Sequence, residues 1–248
     1  THRGFTVGQG VFETVIVRQG QPFALDRHLA RLEQSAVILR LAQPNIALIR
    51  KAIEATIDAN KVLTSELGRL RVTYAAGETP EETTILVTCT QQPAWPDTTS
   101  AVTVPWVRNE RSAIAGAKTT SYAENVIALD FARQAGASEA IFANGVGNVC
   151  EGATSNVFVV LDGEVITPPL SSGCLPGVTR GLVIEWCGAY ERDIEFTMLN
   201  QINELFLTST TRGIHPVTIL DDRNLVVGDV TRRLQSEFQQ LSRMNVNP

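Results

Sequence analysis

The feature that most constrains this sequence is a repeated change between two hydrophobic periodicities. The segment GVFETVIVRQGQPFAL, which begins at Gly10, predicts two strands joined by a turn around Gly20. The next segment, LDRHLARLEQSAVILRL, carries apolar residues every three or four positions, as at Leu29, Leu32 and Ala36, which predicts a helix. Strand-type and helix-type segments then alternate along the chain, and this alternation favours the α/β class.

The rest of the chain follows the same pattern. Further helices are predicted in IALIRKAIEATIDANK, from Thr119 to Gln134, in PGVTRGLVIEWCGA and in GDVTRRLQSEFQQLSRM. Further strands are predicted in GRLRVTYAAG, TTILVTCTQ, AVTVPWV, EAIFAN, GNVCEG, SNVFVVLDGEVITPP and ELFLTST. The polar segment QQPAWPDTTS, with two prolines, is typical of a linker. We therefore expect two α/β domains, a small N-terminal one (1–94) and a larger one (95–248).

Composition excludes several classes of protein. The chain has 248 residues, 44% of them hydrophobic and 19% charged, with a net charge of -5, which favours a packed core and argues against nucleic-acid binding. No apolar run reaches the ~20 residues that a membrane-spanning helix requires. The four cysteines form no CxxC pair and no metal-ligand spacing with the three histidines. We expect a cytoplasmic protein without a metal, with no nucleic acid and no membrane as partners.

Lys118 is the first candidate for chemistry. It precedes the predicted helix at Thr119 and follows small and apolar residues. Burial and a helix N-terminus both disfavour the ammonium form, and a lysine made nucleophilic in this way can form a Schiff base with a carbonyl cofactor. On position alone, a solvated lysine before an ordinary helix explains the pattern better.

A carboxylate and two anion cradles complete the candidate site. Glu151 ends an apolar strand, where it could face a protonated ring nitrogen. Asn156 could hold the residues of the site in place without contacting the ligand itself. The Pro-Gly before Val178 and Thr179 would leave their amides able to bind phosphate at a helix start. A run of hydroxyl residues, Ser209, Thr210 and Thr211 among them, follows a buried strand, and Arg31 could supply permanent charge for the phosphate. Each feature by itself has a structural explanation.

Together these features match a family. The motifs RGFTVGQGVFET, HLARL, AKTTSYAEN, EGATSNVF, LPGVTRG and LTSTTRGIHPV run in order from Arg3 to Val217. In these motifs the chain resembles the class IV, or fold type IV, pyridoxal-phosphate-dependent aminotransferases. Members of that family include branched-chain and D-amino-acid aminotransferases and 4-amino-4-deoxychorismate lyase. The resemblance implies a small α/β domain and a larger domain with a mixed, barrel-like sheet.

The resemblance also implies residue roles. Lys118 would form the internal aldimine with pyridoxal 5'-phosphate and move the proton, and Glu151 would pair with the pyridine nitrogen. The phosphate would be held by Arg31, Val178, Thr179 and Thr210. The substrate pocket would be lined by Phe12, Tyr74, Ser209 and Thr211. The family is built as a homodimer with its active site near the interface.

The sequence departs from the family at two places. His2 stands where the motif usually has aspartate, and the strand expected before it is absent, so we expect that a first strand is missing. Near Tyr74 the sequence reads Tyr-Ala-Ala-Gly, whereas D-amino-acid aminotransferases and the lyases carry an Arg-Gly that can grip a substrate carboxylate. Arg69, Arg71 or Arg212 could take that role, and spacing does not decide among them.

Three functions remain open. The first is an aminotransferase that moves the amino group of an amino acid to a 2-oxo acid through the Lys118 aldimine. The second is the lyase that releases pyruvate and 4-aminobenzoate for folate synthesis. The third is a binding protein of the same fold without catalysis, against which the intact Lys118 and Glu151 argue. The run of hydroxyl residues favours the aminotransferase.

Overall fold

The computed structural model describes residues 2–61 and 66–248, which form two compact units. The first unit contains Thr1–Ala94, Ala117–Tyr122 and Met244–Pro248. The second contains Trp95–Gly116 and Ala123–Arg243. Lys118 therefore belongs to the first unit, with the N-terminal half of the chain.

The first unit is an antiparallel sheet covered on one face by helices. Its strands are β1 (Gly10–Arg18), β2 (Gln21–Pro22), β3 (Leu67–Ala76) and β4 (Thr83–Gln91), in the order β2-β1-β3-β4. Its helices are α1 (Arg3–Thr6), α2 (Leu25–Ile38) and α3 (Ile46–Ala59). Because side chains alternate along a strand, Val11, Val15 and Val17 of β1 point to one face, where they pack with Leu29 and Leu32 of α2.

The second unit is built on a nine-stranded mixed sheet. The strands are β5 (Thr99–Arg108), β6 (Glu139–Asn144), β7 (Val149–Gly152), β8 (Asn156–Leu161), β9 (Glu164–Thr167), β10 (Tyr190–Glu191), β11 (Glu204–Ser209), β12 (Gly213–Leu220) and β13 (Arg223–Asn224). Their order is β10-β9-β8-β11-β12-β5-β6-β7, with β13 beside β12. The pairs β12–β5, β5–β6 and β9–β10 are parallel, and the others are antiparallel. This pattern confirms the predicted α/β class with a mixed sheet.

Helices accompany this sheet. They are α4 (Ala123–Gln134), α5 (Val178–Cys187) and α6 (Asp229–Met244), together with short 3-10 turns at Leu170–Ser172 and Phe196–Asn200. In the part of the chain that the structure describes, no helix has the length and apolar character to cross a membrane.

Two sequence predictions of local structure were wrong. The helix expected from Thr119 begins at Ala123, because the preceding hydroxyl residues bond to the backbone of β1 instead. The Thr120 N–H donates to Gly10 O at 2.8 Å, and the Thr119 hydroxyl donates to the same oxygen at 3.0 Å. Lys118 is thus not at a helix N-terminus, and no helix dipole can act on it there. The sequence reading also missed β12, which carries Pro216 in its interior.

Candidate active site

Lys118 is held by its backbone from two sides. Its N–H donates to Ser35 Oγ on α2 at 3.1 Å, and its carbonyl oxygen accepts from the Phe12 N–H on β1 at 2.9 Å. The next residue, Thr119, forms an isolated antiparallel bridge with Val11. The side chain is half-buried, and its Nζ lies 4.3 Å from the centroid of the Phe12 ring. The lysine is therefore fixed at its base, and its amino group lies against an aromatic face.

Phe12 is the centre of a small cluster in the first unit. The Arg71 guanidinium lies 3.7 Å from the Phe12 ring centroid, and the Tyr122 ring meets Phe12 edge-on with centroids 5.5 Å apart. The cluster thus places one guanidinium, one lysine amino group and one further aromatic ring around the buried Phe12 side chain. Such a surface can receive an apolar substrate group beside a carboxylate.

Tyr74 is not part of that cluster. In the register of β1 with β3 it lies opposite Val11, on the helix-covered face, whereas Phe12 lies opposite Thr73. Tyr74 is 2% exposed, and its hydroxyl donates to Ala42 O at 2.9 Å. The structure therefore places the tyrosine in the core of the unit, on the other face from Phe12.

Arg31 lies on α2 in a buried network of charged groups. Its Nε donates to Glu13 Oε1 at 2.8 Å, and its Nη2 donates to Glu13 Oε2 at 2.7 Å. His28 Nδ1 lies 2.7 Å from the same Oε2. Burial would raise the pKa of Glu13, but the charge of Arg31 and hydrogen bonds from Arg31 and His28 outweigh it and lower the pKa to about 2. Burial lowers the pKa of His28, so the imidazole is neutral and Nδ1 donates to the ionised carboxylate.

In the second unit, Glu151 lies near the end of β7 and is held from two directions. Its Oε2 accepts from the Leu175 N–H at 2.8 Å, and its Oε1 lies 3.5 Å from Arg108 Nε. Arg108 also pairs with Glu124 and stacks on Phe142, 4.3 Å from the ring centroid. A nearby guanidinium favours the ionised carboxylate that pairing with a protonated ring nitrogen requires.

Asn156, the first residue of β8, packs against the short segment 175–177 that precedes α5. The Asn156 side-chain amide donates to Leu175 O at 2.9 Å. The Leu175 N–H is bonded to Glu151, so the two side chains together bond both backbone groups of Leu175. A Cβ at Gly177 would lie 2.0 Å from Asn156 Oδ1, which leaves room for glycine alone. Gly177 is the N-cap of α5, and as a glycine it has no side chain that could cap this end. The amides of Val178 and Thr179 therefore lie in the first turn of α5, a position at which helix amides can bind an anion.

The hydroxyl residues after β11 form the turn into β12. Ser209 Oγ accepts from the Arg212 N–H at 3.3 Å, and Thr211 Oγ1 accepts from Trp95 Nε1 at 3.4 Å. Thr210 lies between them. Thr208 is buried, and its hydroxyl has no hydrogen-bond partner among the described residues.

Arg212, one of the three arginines considered for a substrate carboxylate, holds this turn in place. Its Nη2 donates to Ser138 O at 3.1 Å and its Nη1 donates to His215 Nδ1 at 2.9 Å, while Trp95 stacks on the guanidinium at 3.8 Å. Its side chain is 2% exposed. This arginine acts as an anchor for the turn.

Several charged and aromatic groups near the candidate residues of the two units were not found from the sequence. They are Glu13, His28, Arg108, Tyr122 and Glu139. Glu13 did leave a signal, since it occupies a buried position in the alternation of β1, between Val11 and Val15. Glu139 is fully buried and accepts from the Thr154 and Ser155 hydroxyls at 2.7 and 2.9 Å, which no local pattern announces.

Comparisons with known proteins agree on one family. The family model for class IV amino-transferases matches residues 10–220. The chain is 33% identical over 249 residues to a bifunctional aminodeoxychorismate lyase / D-amino acid transaminase of Mycobacterium tuberculosis, covering 88% of this chain and 84% of that protein.

Solved structures agree with this match. A fold IV-transaminase from Curtobacterium pusillum has a TM-score of 0.87 at 31% identity, covering 96% of this chain and 88% of that chain. The PLP-bound form of a hypothetical aminotransferase from Mycobacterium tuberculosis has a TM-score of 0.87 at 28% identity, covering 96% of this chain and 90% of that chain.

Pyridoxal 5'-phosphate, the cofactor of this family, fits the residues present. A lysine with a fixed base, a carboxylate beside Arg108, and the helix start at Gly177 are the donor set that an aldehyde, a pyridine nitrogen and a phosphate require. The chain therefore belongs to the class IV aminotransferases, a family of pyridoxal-phosphate-dependent enzymes that also includes aminodeoxychorismate lyase.

Proposed function

We propose that this enzyme is an aminotransferase that moves the amino group of an amino acid to a 2-oxo acid, with Lys118 as its catalytic residue. The observation that carries the proposal is the double backbone anchor of Lys118, at Ser35 Oγ and the Phe12 N–H, with Nζ against the Phe12 ring. Such an anchor fixes the base of the side chain whose amino group would accept the substrate α-proton and return it to a neighbouring atom.

The cofactor supplies an aldehyde that captures amino groups and a pyridine ring that takes up the electron pair left when the α-proton departs. Glu151 would hold a proton on the ring nitrogen. The amides of Val178 and Thr179, the Thr210 hydroxyl and Arg31 would bind the phosphate, and Asn156 would keep the turn before α5 in place.

Arg71 is our candidate for the substrate carboxylate. Of Arg69, Arg71 and Arg212, it is the one whose guanidinium lies against Phe12, the residue that Lys118 Nζ also contacts. Its side chain is exposed on the open face of the sheet, so a carboxylate can reach it. Phe12, with Ser209 and Thr211, would line the rest of the pocket.

The lyase activity is the second candidate, since the 33% identical relative is named as both a lyase and a D-amino acid transaminase. Both reactions need the same lysine and the same electron sink. They differ in what leaves: the transaminase releases a 2-oxo acid from its amino donor, and the lyase releases pyruvate from aminodeoxychorismate.

The assembly and location belong to the same proposal. We expect a homodimer in the cytoplasm, whose two units correspond to the small and large domains of the family. Light scattering on the purified protein tests the dimer.

The function is tested by adding single amino donors to the cofactor-loaded protein while the visible spectrum is recorded. L-glutamate, a branched-chain L-amino acid and D-alanine are added in separate experiments. Loss of the visible band with release of one equivalent of 2-oxo acid is expected for one of them, and the best donor gives the substrate class and stereochemistry. If no donor has an effect but aminodeoxychorismate yields pyruvate, the enzyme is the lyase and the aminotransferase proposal is wrong.

A further inference from the structure

Glu13 is a charged residue in an otherwise apolar row. It lies in β1 on the face that packs against α2, between Val11 and Val15, and it is fully buried. A carboxylate in such a position costs free energy unless its oxygens are paired. Here both oxygens accept hydrogen bonds, from Arg31 and His28. Neither the aldehyde chemistry nor the substrate contacts require this residue.

The pairing fixes the direction of Arg31. A guanidinium is planar with five N–H donors, and Glu13 accepts two of them in a bidentate arrangement. The other three N–H groups then point away from Glu13 in directions set by the plane of the pair. An arginine side chain loses rotamer freedom when it is fixed. The hydrogen bonds to Glu13 fix the Arg31 side chain in this conformation before a ligand binds.

The pairing also makes a buried arginine tolerable without a ligand. Arg31 is 6% exposed, and a cation buried without a partner would be strongly destabilising. Glu13 supplies the counter-charge, and because its pKa is about 2 it stays ionised at neutral pH. The neutral His28 adds a donor to the carboxylate without adding charge.

We propose that Glu13 is a positioning residue that orients Arg31 for the phosphate of the cofactor. The inference rests on the phosphate role of Arg31 given under the proposed function. Glu13 itself would touch neither cofactor nor substrate, and its effect should appear only with ligands that carry the phosphate.

The test compares pyridoxal 5'-phosphate with pyridoxal, which lacks the phosphate. Each is titrated into the apoprotein while the visible band is recorded, and the ratio of the two affinities isolates the phosphate contribution. In Glu13→Gln we expect this ratio to fall by about 10–100-fold, as for loss of a charged hydrogen bond, with pyridoxal affinity unchanged. The matched control is Asp26→Asn. Asp26 lies on α2, as Arg31 does, but its carboxylate is exposed and pairs with Arg50 of α3. This variant should leave the ratio unchanged.

The other outcomes separate the two proposals. Arg31→Gln should lower the ratio at least as much as Glu13→Gln, and an unchanged ratio there would refute the phosphate role of Arg31 itself. If Arg31→Gln lowers the ratio and Glu13→Gln does not, Glu13 has no positioning role. Equal weakening of both ligands in Glu13→Gln would show only damage to the fold and would overturn the proposal as well. If Glu13→Gln does not fold, Glu13→Asp keeps the charge but shortens its reach, and a ratio equal to that of the wild type would contradict the inference.

Discussion

The two units hold their candidate groups by different physical means. The first unit uses charged side chains: Glu13 orients Arg31 inside the core, and the Lys118 amino group lies on an aromatic ring. The second unit uses the backbone: Glu151 and Asn156 fix Leu175, and the turn leads into the uncapped amides of α5. In the first unit the candidate groups are side chains held by ionic and ring contacts, whereas at the start of α5 the groups that could bind an anion are main-chain amides, which do not change their protonation. The two arrangements should therefore respond differently to charge and to steric substitution.

Removal of the lysine should have the largest effect. Lys118→Ala should lower kcat by about 10⁴-fold, the upper range for a positioned acid–base group, while thermal unfolding stays close to that of the wild type. Steady-state kinetics and circular dichroism measure the two quantities. Lys51→Ala on the exposed side of α3 is the control and should be fully active.

Acid should weaken the first unit through Glu13. Its pKa of about 2 lies below the usual 4.5, so its stabilisation is present above pH 4.5 and is lost as pH falls towards 2. The lowered pKa of His28 acts in the same direction below its usual value of 6.5, because only the unfolded state then takes up the proton. Between about pH 6 and pH 3 the wild type should lose about 2 kcal/mol more free energy of unfolding than Glu13→Gln. Urea unfolding at both pH values measures this difference, and equal losses would refute the assignment.

Steric substitution should affect the second unit. Gly177→Ala puts a methyl group 2.0 Å from Asn156 Oδ1, and overpacking of this kind costs about 1–3 kcal/mol. We expect cofactor affinity to fall by about 30-fold as the turn shifts. The methyl group of Gly181→Ala, one turn later in α5, would lie 4.0 Å from Glu185 Oε1, an ordinary contact, and this variant should bind the cofactor normally. Equal cofactor affinities of the two variants would show that the segment before α5 does not bind the cofactor.

The smallest effect is expected at Arg71. Arg71→Gln should raise KM for the amino donor by about 10-fold, less than for a buried ion pair because the guanidinium is exposed. Arg69→Gln is the matched control, since it lies two residues away on the same face of β3 without contact to Phe12. Kinetics with a mono- and a dicarboxylic donor measure the change, and an equal effect of the two variants would rule out a specific role for Arg71.

The sequence was sufficient where local periodicity decides structure. The helix around Leu29 and Leu32 and the strands of the first unit followed from spacing, and both are present. The region of Lys118 was different, because its conformation depends on Ser35, 83 residues earlier, and on Gly10. Local sequence favoured a helix there, and long-range hydrogen bonds determined an extended segment.

The partners of the site residues could be inferred only in part. Glu13 was detectable as a charge in the apolar row of β1, since strand periodicity puts it with Val11 and Val15. The face of Tyr74 also depended on register, which strand pairing sets and a motif does not show. The sequence spacing of Arg69, Arg71 and Arg212 does not show which of them contacts Phe12, because that contact depends on side-chain geometry.

The most direct test of the central claim is borohydride reduction of the cofactor-loaded enzyme, followed by peptide mapping. The chain has three lysines, Lys51, Lys61 and Lys118, so the result is unambiguous. We predict that the cofactor label is found on the peptide that contains Lys118. A label on Lys51 or Lys61, or no label at all, would contradict the role assigned to Lys118.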